Sequence, residues 1–250
     1  MRTTAPTDRL DRPEMTRRTI EPAQPKAARV AGFTSLFAMA TVVFAQYGIF
    51  AHLVVAGNAA ETARNIVAHE RLFRIAIACG LIYGAGVVVL LTALYVILKP
   101  VNRGLALLAA FFRLVYALMW VVIAINLFAV LGLLSGADYL RVFEADRLQA
   151  LARLYLGANF NAYYVGLPFY GLASTVCSYL WFRSNYIPRG LAAWGVISSA
   201  WCAASAFAFI IFPNFGKTVN LYSLDTPMAI FEIATSCWLL FKGIRTPLVE

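Results

Sequence analysis

Apolar residues fall along this chain in blocks of membrane thickness. The runs cover residues 30–55, 72–98, 104–134, 157–182, 190–212 and 225–241. A hydrocarbon core needs roughly 17–25 residues of helix, and the longest runs allow tilt. Backbone polar groups inside lipid must satisfy one another, so the runs predict helices rather than open strands. The last run is the shortest. It opens with Pro227 and contains Glu232. The pattern therefore predicts an all-α fold, a polytopic integral membrane helix bundle of about six transmembrane helices over residues 29–243.

The segments outside the runs set an orientation. Residues 1–28 are rich in Pro, Thr and Arg, show no sustained apolar period, and predict a disordered cytoplasmic tail. The connectors "KPVNR" (99–103), "RSNYIPR" (183–189) and "KGIR" (242–245) are short and basic. The opposite connectors, 56–71, 135–156 and 213–224, mix basic residues with Glu61, Glu70, Asp138, Glu144 and Asp146. Cytoplasmic loops accumulate Lys and Arg, so both termini, including the short end 244–250, are expected in the cytoplasm.

Two of the opposite connectors carry helical signals. Asn58 stands three residues before Glu61, the spacing of a capping box. Leu148, Leu151, Leu154 and Tyr155 recur at helical spacing among Arg147 and Arg153. That stretch suits the headgroup plane or a helix packed over the bundle mouth. Gly80 with Gly84, and Gly132 with Gly136, are small-residue pairs of the kind that let helices approach closely. "PVNRGLALLA" (100–109) and "IPRGLAAWG" (187–195) echo one another at two turns on the same side.

Composition agrees. Of 250 residues, 61% are hydrophobic and 13% charged, too few polar groups to cover a soluble fold. The formal charge of +9 reads as cytoplasmic-side bias rather than nucleic-acid binding. Cys79, Cys177, Cys202 and Cys237 lie inside apolar runs and read as small buried hydrophobes. With His52 and His69 as the only histidines, no metal-ligand spacing appears, and no motif for a bound cofactor does either.

Several stretches carry a family resemblance: "RLFR" (71–74), "LKPVNRGLALLAAFFRL" (98–114), "NLFAVLGLLSGADYL" (126–140), "GLPFYGL" (166–172) and "GIRTP" after a Glu-bearing last helix. Over roughly residues 28–243 the chain resembles the bacterial membrane family called domain of unknown function 4386. That resemblance implies a multi-span bundle in the plasma membrane, and it implies no reaction.

The chemistry must come from polar residues inside the runs. Arg113 lies ten residues beyond Arg103, about 15 Å at 1.5 Å per residue, hence near mid-bilayer. Glu232 lies ten residues before Lys242, at the same depth on a helix running the other way. A central charge costs about 2.5–3.5 kcal/mol on insertion scales, so a partner is expected, and Glu232 is read as the only carboxylate within a span. Trp120, seven residues after Arg113 on one face, is expected to stack on the guanidinium or line a pocket. Gln46, His52, Asn126, Asn159 and Asn161 form a second, outer-leaflet polar group if their helices touch.

Three readings follow. The bundle binds or moves a small amphipathic or lipid-like molecule in a cavity around Arg113 and Glu232. Alternatively the pair is a helix clasp in a structural or accessory protein. Or Glu232 is the catalytic acid of a membrane enzyme on an apolar substrate, a reading weakened by the cation beside it. The partners implied are the lipid bilayer and a small amphipathic ligand, with no nucleic acid; a homo-oligomer is compatible with the pattern. The expected location is the bacterial cytoplasmic membrane.

Overall fold

A computed structural model describes residues 21–212, 214, 215, 219 and 221–245. The expectations for residues 1–20 and 246–250 lie outside the described residues. Within them the chain forms seven helices and no strand. They are α1 (Ala23–Leu53), α2 (Ala59–Ala68), α3 (Glu70–Leu98), α4 (Arg103–Leu134), α5 (Ala145–Ser184), α6 (Arg189–Ile211) and α7 (Leu221–Phe241).

Five of them, α1, α3, α4, α6 and α7, are long and apolar enough to cross a membrane. The 40-residue α5 is more polar, because it buries Ser174, Ser178 and Ser184 along with Tyr164 and Tyr170. Topology nevertheless makes it a crossing helix. Glu21 pairs with Lys99 at 3.4 Å, and Gln24 donates to the Ile97 carbonyl at 2.8 Å. The Arg245 amide donates to the Tyr186 carbonyl at 2.9 Å. Both described ends of the chain therefore sit with the turns at 99–102 and 185–188. We call this the terminal end, and the other the distal end. The chain can begin and finish there only by six passes.

The six long helices close into a ring in which α1 touches α3, α3 touches α4, and so on through α5, α6 and α7 back to α1. Residue sizes on the first helix run small inside and large outside. On α1, Ala28, Ala31, Gly32 and Ala38 face inward, while Phe33, Phe37, Phe44 and Tyr47 are exposed. Lipid offers no hydrophobic drive between helices, so small residues set the contacts and large apolar ones meet the tails.

Several boundaries differ from the pattern. Helix α1 starts at Ala23, inside the expected tail, because Gln24 is buried and anchored to Ile97 and Tyr186 rather than solvated. A wide π-turn at Phe44–Phe50 holds Gln46 and rotates the distal end of α1 so that Ala45 and Ile49 stay inward. The amphipathic stretch and the fourth run are one continuous helix, α5. Its Leu151, Leu154 and Tyr155 point outward, while Ala152 and Leu156 pack into the bundle. The capping box at α2 forms: Asn58 accepts from the Glu61 amide at 2.9 Å and its amide group donates to the Glu61 carboxylate at 2.9 Å. At the two echoing turns, Asn102 caps α4 through the Leu105 amide, whereas Pro188 opens α6 without a side-chain cap.

The glycine pairs separate into contacts and bystanders. Gly80 and Gly84 form a groove for Trp120, and a Cβ at Gly84 would also lie 3.6 Å from the Ala117 carbonyl oxygen of α4. Gly132 faces open space, and Gly136 is a turn residue with φ +67°. The tightest approach to a neighbouring backbone is elsewhere. A Cβ at Gly32 would lie 2.6 Å from the Ser236 carbonyl oxygen and 2.7 Å from the Leu240 amide nitrogen. Gly32→Ala is expected to destabilise the protein by about 1–3 kcal/mol, as overpacking does. Gly132→Ala is expected to be neutral or to stabilise by about 0.5–1 kcal/mol, since alanine is the better helix former. Thermal unfolding of the two variants in one detergent checks both signs.

Candidate functional site

Arg113 and Glu232 meet at the centre of the ring. Their helices, α4 and α7, are opposite members of it, so the contact spans the bundle. Arg113 Nη2 donates to Glu232 Oε1 at 3.1 Å, and the side chains are only 4% and 8% exposed. The gap is filled from α5. Ser174 accepts from Arg113 Nη2 at 3.3 Å and donates to Glu232 Oε1 at 2.9 Å. Tyr170 donates through its phenol to Glu232 Oε2. Both carboxylate oxygens are thus engaged, as a buried charge requires.

Trp120 does not stack on Arg113; Tyr170 does, with the guanidinium carbon 5.1 Å from its ring centroid. The reason is direction. Trp120 drops into the Gly80–Gly84 groove on α3, where it packs on Tyr83 at 4.5 Å. Tyr83 in turn bonds phenol to phenol with Tyr116 at 3.3 Å, and Tyr116 stacks on Tyr170 at 4.5 Å. An aromatic column therefore leads from Trp120 to the ion pair.

Glu232 is also not the only carboxylate within a membrane helix. Asp225, seven residues earlier on the same face of α7, accepts from the Tyr163 phenol at 2.9 Å. Tyr163 and Tyr170 are likewise seven apart on α5. Two phenol–carboxylate contacts thus form successive rungs between α5 and α7. The sequence held this signal as a pair of matched seven-residue spacings, and Tyr170 lies inside "GLPFYGL". Ser174 gave no such signal, since a serine in a span is common and its facing residue is unknown until helices pack.

The five distal polar residues do not assemble in this way. His52 and Asn161 are exposed, and Gln46, Asn126 and Asn159 are half-buried. No hydrogen bond joins any two of them, and the buried amide oxygen of Asn159 has no partner among the described residues. No cluster of three or more metal-ligating side chains occurs among the described residues.

Beside the ion pair lies a cavity of about 30 Å³. Arg113, Ser174, Glu232, Thr235, Ser236 and Ser35 supply its polar wall, and Leu90, Leu94, Trp181, Phe231 and Leu239 much of the rest. Two of these residues hold buried polar atoms without a hydrogen-bond partner, Arg113 Nε and Nη1 and Thr235 Oγ1. The guanidinium thus spends one nitrogen on the fold and leaves two, a donor surplus whose neglect costs about 1–3 kcal/mol per group.

Removing one partner leaves the other buried and charged. Arg113→Met or Glu232→Met alone is expected to cost about 3–5 kcal/mol, and the double variant far less than their sum. Tyr170→Phe keeps the ring stack but strips Glu232 Oε2 of its donor, for about 1–3 kcal/mol. Equilibrium unfolding of the set in one detergent gives the coupling energy; strict additivity would show that the contact contributes nothing.

No curated protein and no solved structure matched the chain. A family model described as domain of unknown function (DUF4386) matches residues 30–243, and the chain belongs to that family.

Proposed function

We propose that this is a multi-pass protein of the bacterial cytoplasmic membrane, with both termini inside, that binds a small solute between α1, α4, α5 and α7. One observation carries the reading. The ion pair is complete on the side of Glu232 and incomplete on the side of Arg113, a residue that lines a polar cavity and keeps two buried nitrogens without a partner. A pure clasp would bury the guanidinium fully bonded. The volume narrows the occupant. An amphipathic or lipid-like molecule needs roughly 300–1,000 Å³. The cavity of about 30 Å³ suits something of a few atoms.

The clasp remains a second property of the same residues, supported by the three hydrogen bonds to Glu232. Access for a solute has a physical basis in Pro168 and Pro227, each inside a helix on the distal side of the pair. Proline removes a helix hydrogen bond and gives α5 and α7 a place to bend. Catalysis by Glu232 finds less support, because both its oxygens are already engaged beside a cation. The surrounding bilayer is the expected partner, and the outward Phe33, Phe37 and Phe44 fit that.

Two measurements test this. Asp138→Cys should react with a membrane-impermeant maleimide in intact cells, and Lys242→Cys only after permeabilisation; the reverse pattern overturns the orientation. Trp181 lines the cavity, so its fluorescence in nanodiscs should respond saturably to a small solute. That response should vanish in Arg113→Met/Glu232→Met. If a panel of small neutral and ionic solutes leaves wild-type protein unmoved, the binding reading fails and the clasp alone stands.

A further inference from the structure

Resting on that reading, we propose that the solute is a small monovalent anion, held by Arg113 Nε and Nη1 and taken up together with one proton that comes to rest on Glu232. The donor inventory points to an acceptor. Among the residues that line the cavity, Arg113 keeps two guanidinium nitrogens and Thr235 its hydroxyl without a partner, and Ser35 and Ser236 line it as well. Glu232 accepts three hydrogen bonds already. A cation would find no open carboxylate there. An anion would find a planar fork of N–H groups, the geometry arginine offers to carboxylates and similar oxyanions.

Size selects within that class. A buried water needs about 10–15 Å³ of such volume. A cavity of about 30 Å³ therefore admits species on the scale of chloride, formate or nitrate and not a sugar or amino acid. The apolar remainder of the wall, Leu90, Leu94 and Phe231 among it, disfavours a hydrated divalent ion.

Charge then requires the proton. Arg113 and Glu232 are neutral as a pair. An anion entering alone would leave one net negative charge in a low-dielectric interior, which is strongly unfavourable. A proton restores neutrality, and Glu232 is where it can sit. The hydroxyls of Tyr170 and Ser174 donate to the carboxylate now and can accept from the carboxylic acid after rotation. The new O–H bond on Glu232 releases its claim on Arg113, and the guanidinium charge passes to the anion. Anion and proton both arrive from water, so the site's net charge is unchanged.

The neighbours leave the proton no competing destination. Ser35 faces the cavity from α1, Tyr83 approaches from α3 through Tyr116 of α4, and Cys177 lines it from α5. Helix α6 buries Cys202, and on α7 the carboxylate of Asp225 is two turns away, bonded to Tyr163. Among these Arg113 is the one cation.

The test uses the full chain in nanodiscs in an anion-poor buffer, titrated with sodium nitrate, chloride and formate by calorimetry at several pH values. Binding should tighten by about tenfold for each unit that pH falls while Glu232 is the group taking up the proton. A pH indicator in weakly buffered solution should record one proton taken up per anion bound. Glu232→Gln should bind anion with affinity independent of pH and without proton uptake. Arg113→Met/Glu232→Met, which keeps an uncharged centre, should not bind. Anion binding without proton uptake, or binding that survives in that double variant, overturns the proposal. Saturable binding of a neutral solute but of no anion overturns it and leaves the solute-binding reading in place. Failure of every solute overturns both.

Discussion

An ionised guanidinium buried inside an apolar helix bundle has to be met by negative charge and hydrogen bonds, and Arg113 is met at the centre of this one. Arg113 and Glu232 stand on α4 and α7, opposite members of a ring of six helices, and their side chains touch at 3.1 Å. For two side chains to reach across a ring, the ring must be narrow. Small residues let the helices close up where they meet, with Gly32 pressed against the backbone of α7. Larger side chains such as Trp181, Phe73, Leu180 and Phe231 fill the interior between those contacts, while Phe33, Phe37, Phe44 and Tyr47 of α1 face outward.

The same constraint accounts for the company the pair keeps. A carboxylate has more lone pairs than one guanidinium nitrogen can satisfy, so α5 supplies Ser174 and Tyr170. Tyr170 is itself held by stacking on Tyr116, which is held by Tyr83, which is packed on Trp120. The aromatic column thus works as a brace: it fixes the phenol that fixes the carboxylate. One rung toward the distal end, Tyr163 and Asp225 repeat the contact at the less buried end of the same interface.

Bonded and unbonded edges meet within one side chain. Nη2 of Arg113 bonds Ser174 and Glu232, while Nε and Nη1 are buried without a partner. The Glu232 carboxylate also takes the Tyr170 and Ser174 hydroxyls, so it ties α4, α5 and α7 together. On the reading proposed above, a change in its charge alters helix association and solute affinity together.

The amino-acid sequence by itself determined the helical bundle and the matched level of Arg113 and Glu232 on their two helices, because each depends on hydrophobic length and residue counting along one helix. The capping box of α2 was legible for the same reason, as its partners are three residues apart. What needed the tertiary structure were facts about azimuth and neighbours. Seven-residue spacing put Trp120 on the face of Arg113, yet its ring turned to the glycine groove of α3 and Tyr170 took the place over the guanidinium. Gln46, His52, Asn126, Asn159 and Asn161 are expected together from depth alone, and no hydrogen bond joins any two of them, because where each faces depends on how the helices pack. The cavity and the unbonded edge of Arg113 belong to no single helix; they are what remains after six helices have packed, and a one-dimensional pattern holds no record of that remainder.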